Sequence, residues 1–494
     1  MSVKRSDRAL VVGRAGAALL AASAVIGLSL GAFAAELGVS VANGRVGSGG
    51  TTLEAALIQA YQNNPQLNAQ RAATRAVDEA VPTALSGYRP RATGTASVTE
   101  NYLETLIKNP VTTGPATYTK TQGATLVSSA GMTVTQTFLN GFQTANRTRQ
   151  AEGQVFAARE TLRTTEQTVL LNAVTAYMNL LRDAAILELQ RSNVNVLEVT
   201  LRQTRDRFNA GEVTRTDVAQ AESRLAQGRS QLAVAESNFI TSKAQYLQVI
   251  GVPAPARLAA ATPVDRLSPR TLAGAIDRGR VEHPTVNTAQ YNVDVATHQV
   301  KIAEGALAPT LSAIGNVNKS YGSTSSLAVL ETLNASLQAQ LSVPIYQGGA
   351  EYAAIRQAKE TLGQRRLDLD TARDQVQATV TQAWGQLEAA KASITATQAQ
   401  VAASEIALNG VREEARVGQR TTLDVLNATQ DLLNARVALV TAQRDRVVAS
   451  YTVLAAVGSL SPQILGLGIQ VYDPMVHYQQ VRDAWAGVRV PDGR

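Results

Sequence analysis

The chain has 494 residues and no cysteine, which excludes disulfide bonds, thiolate catalysis and zinc sites built on cysteine. Aromatic residues make up only 4% and alanine is abundant, a composition that suits thin layers of closely packed helices better than one thick core. The formal net charge of +7 is spread along the chain, without a basic run that carries interleaved aromatics, so the sequence predicts no nucleic-acid partner.

Residues 1–34 have the pattern of a secretory signal peptide. A basic start is followed by an apolar run from Ala15 to Leu30, and Ala32-Phe33-Ala34 supplies the small residues of a cleavage site. The alternative is a membrane-anchoring helix, which the short run rich in Gly, Ala and Ser disfavours. We therefore expect an exported chain in which the Gly-rich residues 35–50 form a flexible lead-in.

The next segment predicts a helix and then a β-hairpin. Residues 51–86 have helical character with a break at Asn64-Pro65. Over residues 91–99 small apolar residues alternate with hydroxylated ones, which indicates a strand. A polar loop is expected over residues 103–121, and a second strand over about 122–138.

The second half of the chain repeats this order. Residues 310–318 alternate between apolar and polar, interrupted by Ile314. Residues 333–343 place six apolar residues on one face and uncharged polar residues on the other. This fits a barrel wall between lipid and water, and the alternative is a soluble sandwich strand with one wet face. Four such strands, in two matched hairpins of an exported chain, favour the membrane interpretation.

Four strands cannot close a barrel, and an open sheet edge is not tolerated in lipid. Other copies of the chain must therefore complete the sheet. A cyclic homotrimer would supply twelve strands. The predicted fold class is thus mainly α with a β-barrel portion.

Two long helical hairpins follow the β-hairpins. No proline occurs from Gly141 to about Phe208, which predicts a helix of about 100 Å, and a return helix covers about 216–250. The second half repeats this with about 349–416 and 422–457. The last helix carries a heptad seam of Leu426, Leu433, Val437, Val440, Val447, Tyr451 and Leu454. The counterpart of this seam has smaller residues, which would allow closer helix approach: Ala219, Ala226, Ser230, Ala233, Ile240, Ala244 and Leu247.

The two halves are tandem copies. Matching positions are offset by 219 near the start of each half and by 207 from Gly141 onwards, which predicts pseudo-twofold internal symmetry. We assign residues 51–252 to repeat 1, 253–269 to a Pro-rich linker, and 270–460 to repeat 2. Residues 461–494 form a tail that is expected to be irregular, with His477 at the surface.

The two helical tips carry the same motif. Gly211 and Gly418 each end a long helix, as a C-cap glycine does, and a Thr and an Asp follow that can cap the next helix. The second tip adds a basic residue, Arg420, four positions before Asp424. The acidic residues of both tips could be helix caps, gate residues or both.

This order of elements resembles the TolC-like outer membrane efflux protein family, from about Leu53 to Pro462. The most specific matches are Asn64-Pro65, Phe208-Asn209-Ala210-Gly211 with Thr216-Asp217-Val218, and Val417-Gly418 with Arg420 and Asp424-Val425-Leu426. The resemblance implies a homotrimer with an outer-membrane barrel of twelve strands and a periplasmic tunnel of twelve helices. It also implies that the tips close like an iris, and that a periplasmic adaptor and an inner-membrane transporter of ABC or RND type open them.

Residue by residue, the resemblance implies that Arg420 links to Thr216 and Asp217 and holds the tip shut. It places Asp424 in an acidic ring at the constriction. The family often has a second acidic ring where this chain has Asn427, and a Tyr where it has Ala415. The residues implied to contact the adaptor are Gly211, Val213, Thr214, Gly418, Thr421 and Thr422.

The sequence offers no Gly-rich phosphate loop, no His–carboxylate pair at catalytic spacing and no nucleophile elbow. We therefore expect no enzyme activity and no cofactor. The predicted function is export of small molecules or secreted polypeptides through an outer-membrane channel of a Gram-negative bacterium. The alternative is an exported structural coiled-coil or adhesin-like protein without a pore.

Overall fold

The computed structural model describes residues 51–110, 113–322 and 331–490. The predicted signal peptide and lead-in lie outside these residues. The first half contains α1 (Leu53–Asn63), α2 (Pro65–Asp78), α3 (Ala80–Leu85), β1 (Arg91–Lys108), β2 (Tyr118–Asn140), α4 (Gln143–Asn209) and α5 (Arg215–Ile250). The second half contains α6 (Leu272–Glu282), α7 (Pro284–Gly305), β3 (Thr310–Tyr321), β4 (Glu331–Ser342), α8 (Ala350–Arg416), α9 (Thr422–Ala456) and α10 (Pro474–Val481).

The predicted fold class, mainly helical with a small antiparallel sheet, is confirmed. In the described part of the chain, no helix is both long enough and apolar enough to cross a membrane.

The break at Asn64-Pro65 is a capped restart of the helix. The Asn64 side chain accepts a hydrogen bond from the N–H of Leu67 (3.2 Å), and Pro65 occupies the first helical position. The Asn64 amide also donates to the carbonyl of Val249 at the end of α5 (2.8 Å). One side chain therefore both starts α2 and ties it to the returning helix.

One ion pair appears at the same place in both long hairpins. Arg229 lies 2.9 Å from Glu198, and Arg436 lies 2.7 Å from Glu405. Each pair joins an outgoing helix to its return helix, and the two pairs are related by the same offset of 207. Residues of the two hairpins that differ by 207 in number therefore lie at the same height along the helix axes.

The four strands form one antiparallel sheet in the order β1-β2-β3-β4, with two chemically different faces. Rows of paired residues cross all four strands. One row is apolar and consists of Gly94, Met132, Val317 and Ala335. The next row is polar and consists of Thr93, Thr133, Asn316 and Ser336. The Thr133 hydroxyl donates to Asn316 across the polar face (2.7 Å), so hydrogen bonds also link the side chains of that face.

The predicted loop over residues 103–121 is wrong. β1 extends to Lys108 and pairs with β2 from Tyr118 onwards, so only residues 109–117 connect the two strands. The β1–β2 hairpin therefore runs on as two strands beyond its pairing with β3, which ends at Tyr321. An ion pair between Lys120 and Glu104 (2.6 Å) joins the strands of this extension.

The largest core cluster joins α1, α4, α5, α9 and the start of the tail. Tyr177 of α4 is fully buried there, and its hydroxyl lies 2.8 Å from the carbonyl oxygen of Thr51 and 2.6 Å from that of Ala259. Burial raises the pKa of Tyr177 to about 12. This side chain therefore holds Thr51, two residues before α1, against the linker that follows α5.

The heptad seam of α9 packs as predicted at five of its seven positions, which are buried, while Val437 and Val440 are half-buried. Its counterpart on α5 does not, because all seven positions from Ala219 to Leu247 are exposed in the single chain. The buried row of α5 is a different one, which includes Ala221, Leu225 and Tyr246. The reason is that α9 packs between α4 and α8, whereas α5 packs along α4 and meets α9 only near the tip.

The tail is more ordered than expected. It contains α10, and His477, predicted to lie at the surface, is 2% exposed. His477 Nδ1 lies 2.9 Å from Oδ2 of Asp78, which is also buried. The surface prediction for His477 was wrong because its partner lies 399 residues away in the chain.

Candidate functional site: the helical tips

The two tips have the same backbone geometry. Gly211 and Gly418 adopt left-handed φ values of 75° and 82°, which residues with a Cβ rarely adopt. The following N–H groups of Glu212 and Gln419 donate back to the carbonyls of Arg207 and Glu414, each at 2.9 Å. Each glycine thus ends a long helix in a compact turn and satisfies carbonyls that the helix would leave open.

A capping box begins the return helix at each tip. At the first tip, the N–H and hydroxyl of Thr214 both donate to Asp217 Oδ2 (2.9 and 2.7 Å). At the second tip, Thr421 makes the same contacts with Asp424 (3.0 and 2.9 Å). The two predicted gate acids are therefore helix caps in the single chain.

These caps set the charge of both acids. Hydrogen bonds from the side chain and backbone of Thr214 hold the pKa of Asp217 below its ordinary value. Hydrogen bonds from the backbone and side chain of Thr421 do the same for the pKa of Asp424. Both carboxylates are therefore ionised at neutral pH, and each tip presents a fixed negative charge.

Arg420 has a different partner in the single chain from the one predicted. Its Nε donates to Glu414 Oε2 (2.8 Å), which lies on the other side of the glycine turn. Within the described residues, neither Thr216 nor Asp217 is hydrogen-bonded to Arg420. A link from Arg420 to these residues stays a prediction about the assembled protein.

Asn427 joins the two hairpins of one chain. Its side-chain oxygen accepts a hydrogen bond from Arg224 Nη2 on α5 (2.6 Å). Next to it in the chain, Leu426 packs with Leu197, Leu201, Ala221 and Leu225 of the first hairpin. The position where the family often has an acid is therefore a neutral acceptor for an arginine. Sequence reasoning did not find Arg224 or Glu414.

The residues predicted to contact an adaptor lie at the surface of the turns. Gly211, Thr214, Gly418 and Thr421 are exposed, and Val213 and Thr422 are half-buried. Further along the helices from these turns, a polar cleft of about 360 Å³ lies between α4, α8 and α9. Its lining includes Asn193, Glu405, Asn409, Arg412 and Arg436. The described residues bring no three His, Asp or Glu side chains together that could hold a metal ion.

Comparison with known proteins gives the family. The family model described as outer membrane efflux protein matches residues 56–252 and 275–459. The chain is 40% identical over 452 residues to the outer membrane efflux protein BepC of Brucella suis biovar 1, a match that covers 90% of this chain and 93% of BepC. It is 28% identical over 318 residues to the outer membrane protein TolC of Escherichia coli, covering 62% of this chain and 64% of TolC.

Among solved structures, the CmeC outer membrane channel of Campylobacter jejuni superposes with a TM-score of 0.70 at 18% identity. The superposition covers 87% of this chain and 89% of CmeC, which shows a shared fold. The family match is consistent with the two-faced sheet and with the two long helical hairpins. The chain belongs to the outer membrane efflux protein family and is an outer-membrane channel protein for export.

Proposed function

We propose that the chain is one subunit of a homotrimeric channel-tunnel that crosses the outer membrane and continues into the periplasm. The observation that carries this proposal is the four-stranded sheet, in which apolar rows on one face and polar rows on the other cross all four strands near the helices, until charged residues interrupt the apolar face beyond Val317. The apolar face would meet lipid, and the polar face would line an aqueous duct.

The open edges of the sheet support a trimer. β1 and β4 each have one neighbour in the described chain, so each presents unpaired backbone groups. In lipid such an edge must be paired, and pairing β1 of one copy with β4 of the next closes a barrel. Three copies would give twelve strands, within the range of outer-membrane barrels.

The exposed seam of α5 supports the same assembly. Its seven positions lie in a heptad row, and the side chains include Ile240, 67% exposed, and several alanines. Such a row is typical of a helix that packs against another helix. We place α8 of a neighbouring copy on this row, because α8 exposes the apolar side chains of Leu367 and Ile406.

The tips would form the gate. In this proposal Arg420 exchanges Glu414 of its own chain for Thr216 and Asp217 when the tips close. Asp424 from three copies would form the acidic ring at the constriction, with Asn427 one turn further along. Because the three Asp424 carboxylates would repel one another, their titration would belong to the ring rather than to one residue.

A periplasmic adaptor would bind the exposed turns at Gly211 and Gly418 and open the gate. An inner-membrane transporter of ABC or RND type would supply the energy and select the cargo. The duct itself has uncharged polar side chains along its wall, which suits passage of small molecules or unfolded polypeptides.

Cysteine cross-linking tests the assembly, since the natural chain has no cysteine. The Arg229–Glu198 and Arg436–Glu405 ion pairs place Ser230 on α5 at the level of Ile406 on α8. We expect a chain with Ser230→Cys and Ile406→Cys to form oxidised dimers and trimers on a non-reducing gel. Each single variant should remain monomeric on that gel.

The matched control combines Ile240→Cys with Ile406→Cys. Ile240 lies on the same seam as Ser230 but about 15 Å further along α5, so this pair should not cross-link. Cross-linking of the control alone, or of neither pair in membranes, would contradict the packing of α5 on α8 of the next copy.

A further inference from the structure

Ala484 and Trp485, near the end of the C-terminal tail, are held at the end of the sheet that adjoins the helices. The Trp485 ring lies 4.6 Å from the guanidinium carbon of Arg89, and Arg89 Nη1 donates to the carbonyl of Ala484 (2.6 Å). Arg89 comes two residues before β1. The carbonyl of the preceding Tyr88 accepts a hydrogen bond from Gln136 of β2 (3.1 Å). The tail therefore reaches the foot of the sheet, the level at which its strands join the helical part.

The tail is docked along its length up to this point. The buried pair of His477 and Asp78 fastens α10 to α2. The guanidinium of Arg159 lies 5.0 Å from the Tyr478 ring, which ties α10 to α4 as well. Trp485 is consequently held in place by several contacts upstream of it, and its position is not that of a free chain end.

Large apolar side chains at this level are left uncovered. Trp485 is 73% exposed, and Val488 and Val490 beyond it are also exposed. Tyr88 and Phe142, which flank the two strands of the first hairpin, are exposed in the same way. In a uniformly aqueous environment most of the apolar surface of these side chains would remain in contact with water.

Phe142 adds an independent observation. Its φ of 59° lies in the left-handed region, and it is the only described residue other than glycine with such a value. The matching position of the second repeat is Gly349, which has a φ of 87°. The first repeat thus keeps a phenylalanine where the backbone favours glycine, although the ring is 74% exposed. The backbone of Phe142 is strained and its ring makes few contacts within its own chain. This combination indicates a contact outside the chain.

The charges around this level are mainly positive. Arg89, Arg91 and Arg489 lie at or near it, against one acidic residue of the tail end, Asp483, while Arg482 is paired with Glu152 (3.9 Å). Aromatic rings combined with arginines are typical of the membrane–water interface, where the rings sit among headgroups and the cations meet anionic lipids.

We infer that the end of the tail, residues 485–490, is a membrane-interface anchor that lies in the headgroup region of the inner leaflet of the outer membrane. Trp485 and Phe142 insert among the phospholipid headgroups, and the surrounding arginines bind the anionic ones. The apolar face of the sheet ends towards the helices with Leu341 of β4 and its partner Leu311 of β3. The inference rests on the proposed function in that the sheet must cross the outer membrane.

Tryptophan fluorescence in vesicles tests this anchor. The chain has two tryptophans, and Trp384 lies about 50 Å along α8 from its first residue, far from the sheet. The Trp384→Phe protein, assembled in vesicles of phosphatidylethanolamine and phosphatidylglycerol, therefore reports on Trp485 alone. Bromine atoms on the acyl chains quench a nearby tryptophan, and they can be placed close to the headgroup or close to the chain end.

We expect the emission of Trp485 to be blue-shifted and to be quenched more by bromines near the headgroup than by those near the chain end. The matched control is Trp485→Phe, in which the remaining Trp384 should not be quenched by either lipid. A second control, Leu337→Trp in a chain with both natural tryptophans replaced by Phe, places the probe on the apolar face of the sheet.

The controls separate the two hypotheses. If Leu337→Trp is quenched and Trp485 is not, the sheet is in the membrane and the anchor is refuted. A blue-shifted Trp485 that neither lipid quenches would mean that another copy of the chain covers it, which also overturns the anchor. If Leu337→Trp is not quenched either, the proposed position of the sheet in the membrane fails.

Discussion

Tyr177→Phe should loosen the junction between the start of α1 and the linker after α5, and leave the rest of the helical core intact. The substitution removes one hydroxyl and keeps the ring, which is fully buried among apolar residues of α1, α4 and α5. The single O–H proton that the carbonyls of Thr51 and Ala259 share is then lost. The two segments would then be joined mainly by their own backbone hydrogen bonds.

The size of the effect depends on which hydrogen bonds each carbonyl retains after the substitution. The Thr51 carbonyl still accepts a hydrogen bond from the Ala259 N–H (3.1 Å), so it stays partnered. The Ala259 carbonyl loses the hydroxyl, but Ala259 is half-buried and water reaches its surroundings. Leaving a buried acceptor without a partner costs about 1–3 kcal/mol, and partial hydration places this case in the lower half of that range. A loss of about 1–2 kcal/mol corresponds to a factor of about 5–30 in the local opening equilibrium.

Hydrogen exchange on the detergent-solubilised protein measures this equilibrium directly. The amides of Thr51 and Ala259 should exchange about 5- to 30-fold faster in Tyr177→Phe, in line with that free energy. Amides in the middle of α8 should not change. The matched control is Tyr246→Phe, since Tyr246 is buried in the same cluster and the described residues supply no hydrogen-bond partner for its hydroxyl. Unchanged exchange in Tyr177→Phe, or equal acceleration in Tyr246→Phe, would refute the role given to the Tyr177 hydroxyl.

Three further predictions concern the gate and the topology. Arg420→Ser should raise single-channel conductance partially, and Asp217→Ala should add little to it if both changes remove one link; full additivity would show that the two residues are not partners. Asp424→Asn should reduce cation preference and flatten the pH dependence of conductance at acidic pH, whereas unchanged selectivity would place Asp424 away from the channel axis. A membrane-impermeant amine reagent applied to whole cells should label Lys108 or Lys120 beside the external loop, and labelling confined to broken cells would reverse the topology.

The fold could be predicted where its signals are local. Absence of proline over long stretches and alternation with a period of two are properties of short windows, and both gave elements that the structure contains. The extension of β1 and β2 was missed because Glu100 and Glu104 interrupt the apolar face beyond Val98. The structure pairs these residues with β2 regardless, since a two-stranded extension needs no buried face.

At the tips, too, local contacts could be predicted and contacts between distant segments could not. The capping by Asp217 and Asp424 was predictable, because a Thr three residues before an Asp is a local signature of a helix start. The pairing of Arg420 with Glu414 runs across a glycine turn, and that of Arg224 with Asn427 spans 203 residues. No spacing rule for a single helix reports such contacts, which depend on how the two hairpins pack.

The seam of α5 shows that a repeated sequence pattern does not determine whether its residues are buried within one chain. Its pattern matches that of α9, yet the α9 row is largely buried and the α5 row is exposed, because only α9 has long helices on both sides. The pattern correctly marks a helix-packing surface. In our proposal the partner of that surface on α5 belongs to another copy.

The central claim is that the polar face of the sheet lines the duct of a trimeric channel. It is tested most directly by planar-bilayer recording from Ser336→Cys, on the polar face, and from Ala335→Cys, the adjacent residue on the apolar face. We expect both proteins to conduct. A charged thiol reagent should lower the current of Ser336→Cys in three steps, one for each copy, and leave Ala335→Cys unchanged. No pore current, or a response of Ala335→Cys in place of Ser336→Cys, would contradict the claim.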